Sequence, residues 1–206
     1  MEIDIIIWLD YIGTMVFAIS GVLTAGNKKL DLFGAMFIGV VTAIGGGTTR
    51  DLLLGVTPVT WLQGYGYLIA IFSGFLITLV FKRFVARMRR TLFLFDTIGI
   101  GVFTIIGLEK ALNLGVNPAV GVIMGMTSAV VGGVIRDTLT NEVPLIFHKE
   151  IYATACITGA LFYLLFRWLD LPVALNELLT VGIIITIRLL SIRYNISFPV
   201  FKIPKS

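Results

Sequence analysis

Sliding this chain against itself by 86 residues, with no gap, brings polar and glycine positions into register again and again. Asp10 meets Asp96, Gly13 meets Gly99, Phe17 meets Phe103, Gly21 meets Gly107, Ala25 meets Ala111 and Asn27 meets Asn113. The register continues through Gly39/Gly125, Ala43/Ala129, Gly46/Gly132, Gly47/Gly133, Arg50/Arg136, Asp51/Asp137 and Pro58/Pro144. With Ile12/Ile98, Val16/Val102, Ile19/Ile105 and Leu53/Leu139, 17 of the 49 positions from 10 to 58 are identical. Biased composition yields scattered Leu and Val matches; it does not align Asp, Asn, Arg, Pro and paired Gly. The chain is a duplication, and whatever one half folds into the other must also be able to fold into.

The repeated unit is membrane-spanning. The chain is 57% hydrophobic and 14% charged, with mean hydropathy +0.99, against about 45–50% apolar and about 25% charged in ordinary soluble domains. Apolar stretches near 5–25, 32–54, 62–81, 92–112, 118–140, 146–168 and 174–192 each approach the ~20 residues that carry a helix across a ~30 Å hydrocarbon layer. Only helices satisfy their own backbone in lipid at that length, so the expectation is an all-α integral membrane domain over 1–192. Repeat one covers about 5–81, repeat two about 92–168, a seventh helix 174–192, and residues 193–206 form a tail. The opening MEIDIIIWLDY lacks a basic lead and a cleavage pattern, so it reads as the first span rather than a leader.

Three crossings per copy is an odd number. The second copy must therefore enter the membrane upside down, giving two inverted three-helix repeats about a pseudo-two-fold axis, an architecture found in transporters.

Lys and Arg set the expected orientation. With the N-terminus outside, the inner side receives Lys28, Lys29, Lys82, Arg83, Arg87, Arg89, Arg90, Lys149, Arg193, Lys202 and Lys205, and the outer side only Lys110 and Arg167. The positive-inside rule then predicts N-out, C-in, with a cytoplasmic tail. This placement also accounts for the net charge of +4 without a nucleic-acid partner. The run KRFVARMRR serves topology or a lipid phosphate. Trp8, Trp61 and Trp168, at segment ends, fit interfacial anchors.

Glycine patterning marks the second and fifth spans. Ala35, Gly39, Ala43 and Gly47 recur every four residues, as do Gly121, Gly125, Ala129 and Gly133, and such ridges admit a close neighbouring backbone. Consecutive glycines in GGGTTRD (45–51) and VGGVIRD (131–137) also lower helix propensity by about 1 kcal/mol each. Close packing is one reading of the pairs. The other is a kink that frees carbonyls toward a wet path, since matching discontinuous helices in two halves point to a substrate or ion route.

Charge inside the spans is costly and needs partners. Arg50 and Asp10 lie at matching depth near one face, and Arg136 and Asp96 near the other. The expected pairs are Asp10 with Arg50 and Asp96 with Arg136, with Asp51 and Asp137 as competing partners, acting as structural clamps or as gates. Asp10 and Asp96 near opposite faces cannot form a protease dyad, and no Ser-His or metal-spaced cluster stands in the spans. Cys156 is alone in an apolar run and His148 has no second His nearby, so neither a disulfide, a metal site nor an enzyme is expected.

The doubled unit, the GGGTTRD and GGVIRD motifs and the opening DYIGTMVFAISG resemble the prokaryotic trimeric intracellular cation (TRIC) channel family, also labelled glycine transporters. The resemblance covers roughly residues 5 to 192. It implies a homotrimer in a prokaryotic plasma membrane. Each subunit would have its own pore, lined by the kinked second and fifth helices and passing monovalent cations, mainly K⁺ with Na⁺ as an option. Carried over, the kinks fall on Gly45, Gly46 and Gly47 and on Gly132 and Gly133, with Thr48, Thr49 and Ser128 as polar lining. Val131 replaces the third glycine, which implies a gentler inner bend. No cofactor is implied beyond permeating cations and contacting lipid.

Inverted repeats suit carriers as well as channels, so a transporter of glycine or another small solute stays open beside the channel, and a non-conducting scaffold is the third class. A channel requires weak sites along a continuous wet path, and a carrier requires alternating access.

Overall fold

The computed structural model describes residues 5–81, 91–148 and 151–197, and its first two helices in each repeat follow the duplication closely. Helices α1 (Ile5–Asn27), α2 (Leu32–Leu53) and α3 (Tyr65–Val80) form the first repeat. Helices α4 (Thr91–Asn113), α5 (Pro118–Leu139) and α6 (Ala153–Trp168) form the second, and α7 (Val173–Tyr194) follows. The expected seven-helix fold of two inverted three-helix units plus one is the fold found. The basic run Lys82–Arg90, Lys149 and residues 198–206 of the expected tail lie outside the described residues.

The matches reach down to the caps. Asp31 accepts from Gly34 N at 2.7 Å and its mate Asn117 from Ala119 N at 2.9 Å, each starting the middle helix of its repeat. Lys29 (φ 58°) and Gly115 (φ 76°) are mates in the left-handed region just after α1 and α4. The amides that follow them, Leu30 N and Val116 N, return to Ala25 O and Ala111 O, closing both helices in the same way. Gly55 and Asn141 repeat the device after α2 and α5.

Register slips only beyond Pro58 and Pro144. Single 3₁₀ turns, Thr60–Gln63 and Leu145–Phe147, intervene, and the third helices begin at Tyr65 and Ala153 rather than near 62 and 146. Each then has 16 residues, about 24 Å at 1.5 Å per residue, while the other five helices have the length and apolarity to cross a membrane. The expected spans were too long because a short apolar turn reads like helix in a hydropathy window.

The pseudo-two-fold axis passes through the packing of α1 on α4. Phe17 and Phe103 stack there, and each also packs on a mated glycine: a Cβ on Gly99 would fall 2.2 Å from Phe17, and one on Gly13 3.2 Å from Phe103. Within each repeat the first helix meets the second just as closely. A Cβ on Gly21 would lie 2.7 Å from Ile38 O, and one on its mate Gly107 2.9 Å from Met124 O. Helix α7 has no mate. It packs on α6, where Ile184 fills the space over Gly159, and buries Asn176, Glu177, Thr180, Arg188 and Ser191. Large apolar side chains such as Phe33, Leu68, Ile69 and Trp168 are exposed, as a lipid-facing surface requires.

Candidate functional site

The second pseudo-symmetric contact, α2 on α5, carries both glycine motifs. Both helices keep α-helical assignment through them, so neither is broken there. The glycines serve the crossing. A Cβ on Gly46 would sit 2.0 Å from the carbonyl oxygen of Ser128, and a Cβ on Gly132 would sit 2.3 Å from that of Thr42. Thr42 and Ser128 are themselves repeat mates, so one contact is made twice. Backbone meets backbone because neither helix presents a side chain, and two helices cross at a separation only glycine allows.

The outer glycine of each pair behaves differently. A Cβ on Gly47 would meet only Arg50 Nη2, at 3.6 Å. A Cβ on its mate Gly133 would meet Tyr152 Oη at 3.3 Å, Asp96 Oδ1 at 3.5 Å and Arg136 Nη2 at 3.6 Å. Both glycines thus face a guanidinium, and the polar surroundings of Gly133 are already in contact with where a Cβ would stand. Gly45 packs under Ile135.

Polar groups flank the crossing. Thr49 donates to Gly45 O at 2.9 Å, so its hydroxyl is used within its own helix, whereas Thr48 accepts from the Trp61 indole at 3.1 Å. The Ser128 hydroxyl is fully buried at the crossing with no hydrogen-bond partner among the described residues.

Each end of the crossing closes in an ion network. At the Asp137 end, the fully buried Arg136 donates Nη1 to Asp96 at 2.8 Å and to Ser20 at 2.6 Å, and Nε to Asp137 at 2.7 Å. The expected Asp96–Arg136 pair is present, with Asp137 as second partner rather than competitor. Tyr152 Oη, Asp96 Oδ2 and Arg136 Nη2 are buried beside Gly133 without hydrogen-bond partners among the described residues.

At the Asp51 end the expected pair is not formed. Arg50 Nε goes to Asp51 at 2.8 Å, while Asp10 accepts from Tyr67 Oη at 2.7 Å. The reason is local: Ser20 and Asp96 draw Arg136 toward α1 and α4, but the mate of Ser20 is Ile106, and Tyr67 takes Asp10. Lys110 then reaches from α4 to Asp51 at 2.7 Å and donates to Thr60. Asp51 Oδ2 also accepts from Thr60 N at 2.7 Å, and Asp137 Oδ2 from Leu145 N at 3.1 Å. The Arg-Asp couplet thus has one job at both ends. Its aspartate fixes the neighbouring guanidinium and ties down the turn before the third helix.

A cleft of about 260 Å³ opens at the Asp51 end and reaches past Asp10, Thr14, Arg50 and Gly47 to Phe103 on the pseudo-axis. Arg50 Nη1 is buried there without a hydrogen-bond partner among the described residues.

This geometry has known counterparts. The family model described as glycine transporter matches the chain over residues 7–83 and again over 93–168. The trimeric intracellular cation channel orthologue from Rhodobacter sphaeroides superposes with TM-score 0.88 at 33% identity, covering 93% of this chain and 99% of that one. A second TRIC cation channel, solved to explain conductance, gives TM-score 0.86 at 38% identity over the whole of both chains. The chain belongs to the TRIC channel family. Among its TRIC relatives is the UPF0126 inner membrane protein YadS of Escherichia coli K12, 40% identical over 205 residues, with 98% of this chain and 99% of that one covered. A UPF0126 membrane protein of Vibrio cholerae is 40% identical over 208 residues, covering 100% and 86%.

Within the TRIC fold several site residues had no motif to announce them. Tyr67, Thr60, Ser20 and Tyr152 are unpaired in the repeat and look like ordinary span or loop residues. Lys110 had a signal, since it falls within an apolar stretch beside Glu109, but its position near a segment end made it read as a topological charge.

Proposed function

We propose that this chain forms a homotrimeric channel for monovalent cations, chiefly K⁺, in a prokaryotic plasma membrane, with one pore per subunit along the α2–α5 crossing. The expected orientation, N-terminus outside, puts Asp51 at the outer mouth and Asp137 at the inner one. The observation that carries the reading is the glycine crossing itself. Two backbones meet without side chains between two buried ion networks, in a fold shared over its full length with TRIC cation channels.

The chemistry suits weak cation sites. Hydroxyls of Thr14, Thr48 and Ser128, the helix carbonyls at Gly45 and Gly46 and the carboxylate of Asp10 are oxygen ligands, which suit hard monovalent ions and hold them loosely. At the crossing the backbones are in contact, so conduction requires α2 and α5 to separate or bend there, and glycine is the residue at which a helix yields most easily.

A second reading, a carrier for glycine or another small solute, is favoured by the description of the matching family model. Planar-bilayer recording from purified protein separates the two. Unitary K⁺ currents support the channel; labelled-glycine counterflow without currents supports the carrier and overturns the channel.

A further inference from the structure

Away from the crossing, at the same end of the molecule as Lys110, a second cleft of about 580 Å³ lies between the end of α4, the end of α6 and the start of α7. Its lining is polar for a membrane protein: Glu109 and Asn113 from α4, Tyr163 and Arg167 from α6, and Asn176 from α7.

The polar groups are sorted by depth. Glu109, Tyr163 and Asn176 are all buried, at 7%, 3% and 2% exposure, and form the floor, while Asn113 and Arg167 are exposed at the rim. Donors at the floor are largely committed inside the protein. The Tyr163 hydroxyl donates to Glu109 Oε1, and Asn176 Nδ2 donates to Tyr163 O at 3.1 Å. What the floor offers a ligand is acceptor oxygen, above all the Glu109 carboxylate. The rim offers the reverse, a guanidinium with five N–H donors and no acceptor.

Spacing links the two levels. Tyr163 and Arg167 are four residues apart on α6, as are Glu109 and Asn113 on α4, so rim stands about 6 Å above floor on the same helix faces. A ligand that satisfies both levels has a hydrogen-rich cation at one end and an anion a few bonds away. The floor selects a primary ammonium over a quaternary one, because it supplies charged acceptors and a single aromatic ring rather than an aromatic cage.

We propose that this cleft binds a small primary-amine zwitterion, its ammonium on Glu109 and its anionic group on Arg167. The chemistry is common to a free amino acid as small as glycine and to the phosphoethanolamine headgroup of a membrane lipid, and the cleft lies among helix ends, where headgroups sit. It lies off the α2–α5 crossing and does not depend on the pore reading.

The test uses the full-length protein in phosphatidylcholine nanodiscs, which contain no primary amine. Equilibrium dialysis measures binding of labelled glycine, phosphoethanolamine and ethanolamine. Native mass spectrometry after addition of phosphatidylethanolamine measures lipid retained. Saturable binding of glycine alone assigns a free solute, and retention of phosphatidylethanolamine with phosphoethanolamine binding assigns the headgroup. Glu109→Gln should weaken either at least tenfold. Because Glu109 is bonded within the fold, Arg167→Gln at the exposed rim is the second variant. It should weaken the zwitterions severalfold and leave ethanolamine, which has no anion, unchanged. No saturable binding of any probe, or zwitterion binding unaltered in Arg167→Gln, overturns the proposal. K⁺ currents recorded from the same preparations fail or persist separately, so loss of this site leaves the channel reading standing.

Discussion

Phe17 and Phe103 stack with ring centroids 5.1 Å apart and planes 17° from parallel, and they are the same residue of the two repeats. A pair lying on a pseudo-symmetry axis has no independent partners: each ring packs on the other and on a glycine of the opposite repeat. Phe17→Ala should therefore cost about 3–5 kcal/mol, the usual range for a buried phenylalanine. Phe17→Ala with Phe103→Ala should cost clearly less than the two singles combined, because the second truncation removes a contact already lost. Thermal unfolding in detergent checks this, and strict additivity would contradict the shared stack.

The glycines divide into those that set the crossing and those that face a guanidinium beside it. Gly46→Ala or Gly132→Ala places a methyl on a backbone carbonyl, which has no rotamer by which to escape. Each should cost roughly 3 kcal/mol, the upper part of the range for overpacking, and reduce the yield of folded protein. Gly133→Ala meets only side-chain atoms, the nearest Tyr152 Oη at 3.3 Å, so a shift of that side chain by a few tenths of an ångström should let it fold. By narrowing the polar space beside Tyr152 and Asp96 it should nevertheless reduce K⁺ flux severalfold in a liposome assay. Wild-type flux in Gly133→Ala would remove this space from the pore.

Lys110 marks a second difference between the two mouths, beside the exchange of partners by Asp10 and Asp96. Its ammonium rests on Asp51, whereas the mate of Lys110 is Thr24, and among the described residues no lysine bonds Asp137. Lys110→Met should raise single-channel K⁺ conductance by about twofold at low ionic strength, because removing a fixed positive charge raises the local cation concentration. The gain should vanish near 1 M salt, where the Debye length falls to about 3 Å. A gain independent of salt would point to a steric rather than an electrostatic role.

Much of this molecule is written in its repeat. The offset of 86 places caps, left-handed residues and glycine contacts correctly, because each is a local backbone requirement satisfied by one residue type. The repeat fails where the halves have diverged. Asp10 and Asp96 look equivalent, yet Tyr67 takes one and Arg136 the other, and the difference arises in helices packed against the charges rather than in the motif. Glycine pairs were ambiguous for a deeper reason. A residue chosen for lacking a side chain looks the same whether it admits a neighbouring backbone or weakens a helix, and only the neighbour, Ser128 O or Thr42 O, decides. Nor could spacing reveal the Glu109 cleft, where Glu109 of α4 meets Tyr163 of α6, 54 residues further along the chain.

Lys28 and Glu142 join the turns at the Asp137 end, Nζ to Oε1 at 2.5 Å. The ammonium holds the Glu142 carboxyl below its ordinary 4.5. A lowered carboxyl adds stability above its unfolded value and loses it as pH falls through the folded one. Unfolding temperature differences between wild type and Glu142→Gln should thus be constant from pH 7 to 5.5 and close only near pH 4 and below. They should be small throughout, since exposed pairs are screened. A difference that closed well above pH 5.5 would contradict this origin.

The two ion networks make opposite predictions for a double-mutant cycle. Arg136 contacts Asp96 directly with both residues fully buried, so Asp96→Asn leaves an unbalanced guanidinium and should cost about 3–5 kcal/mol. Combining it with Arg136→Met should recover part of that loss, giving a coupling of at least about 1 kcal/mol. Asp10 and Arg50 share a cleft but bond to Tyr67 and Asp51 respectively. Asp10→Asn with Arg50→Met should therefore be near additive, while Asp10→Asn with Tyr67→Phe should couple. Measured by chemical unfolding in detergent, a strong Asp10–Arg50 coupling with none for Asp10–Tyr67 would mean that the Asp51 mouth pairs its charges as the Asp137 mouth does. The asymmetry between the two ends would then have to be abandoned.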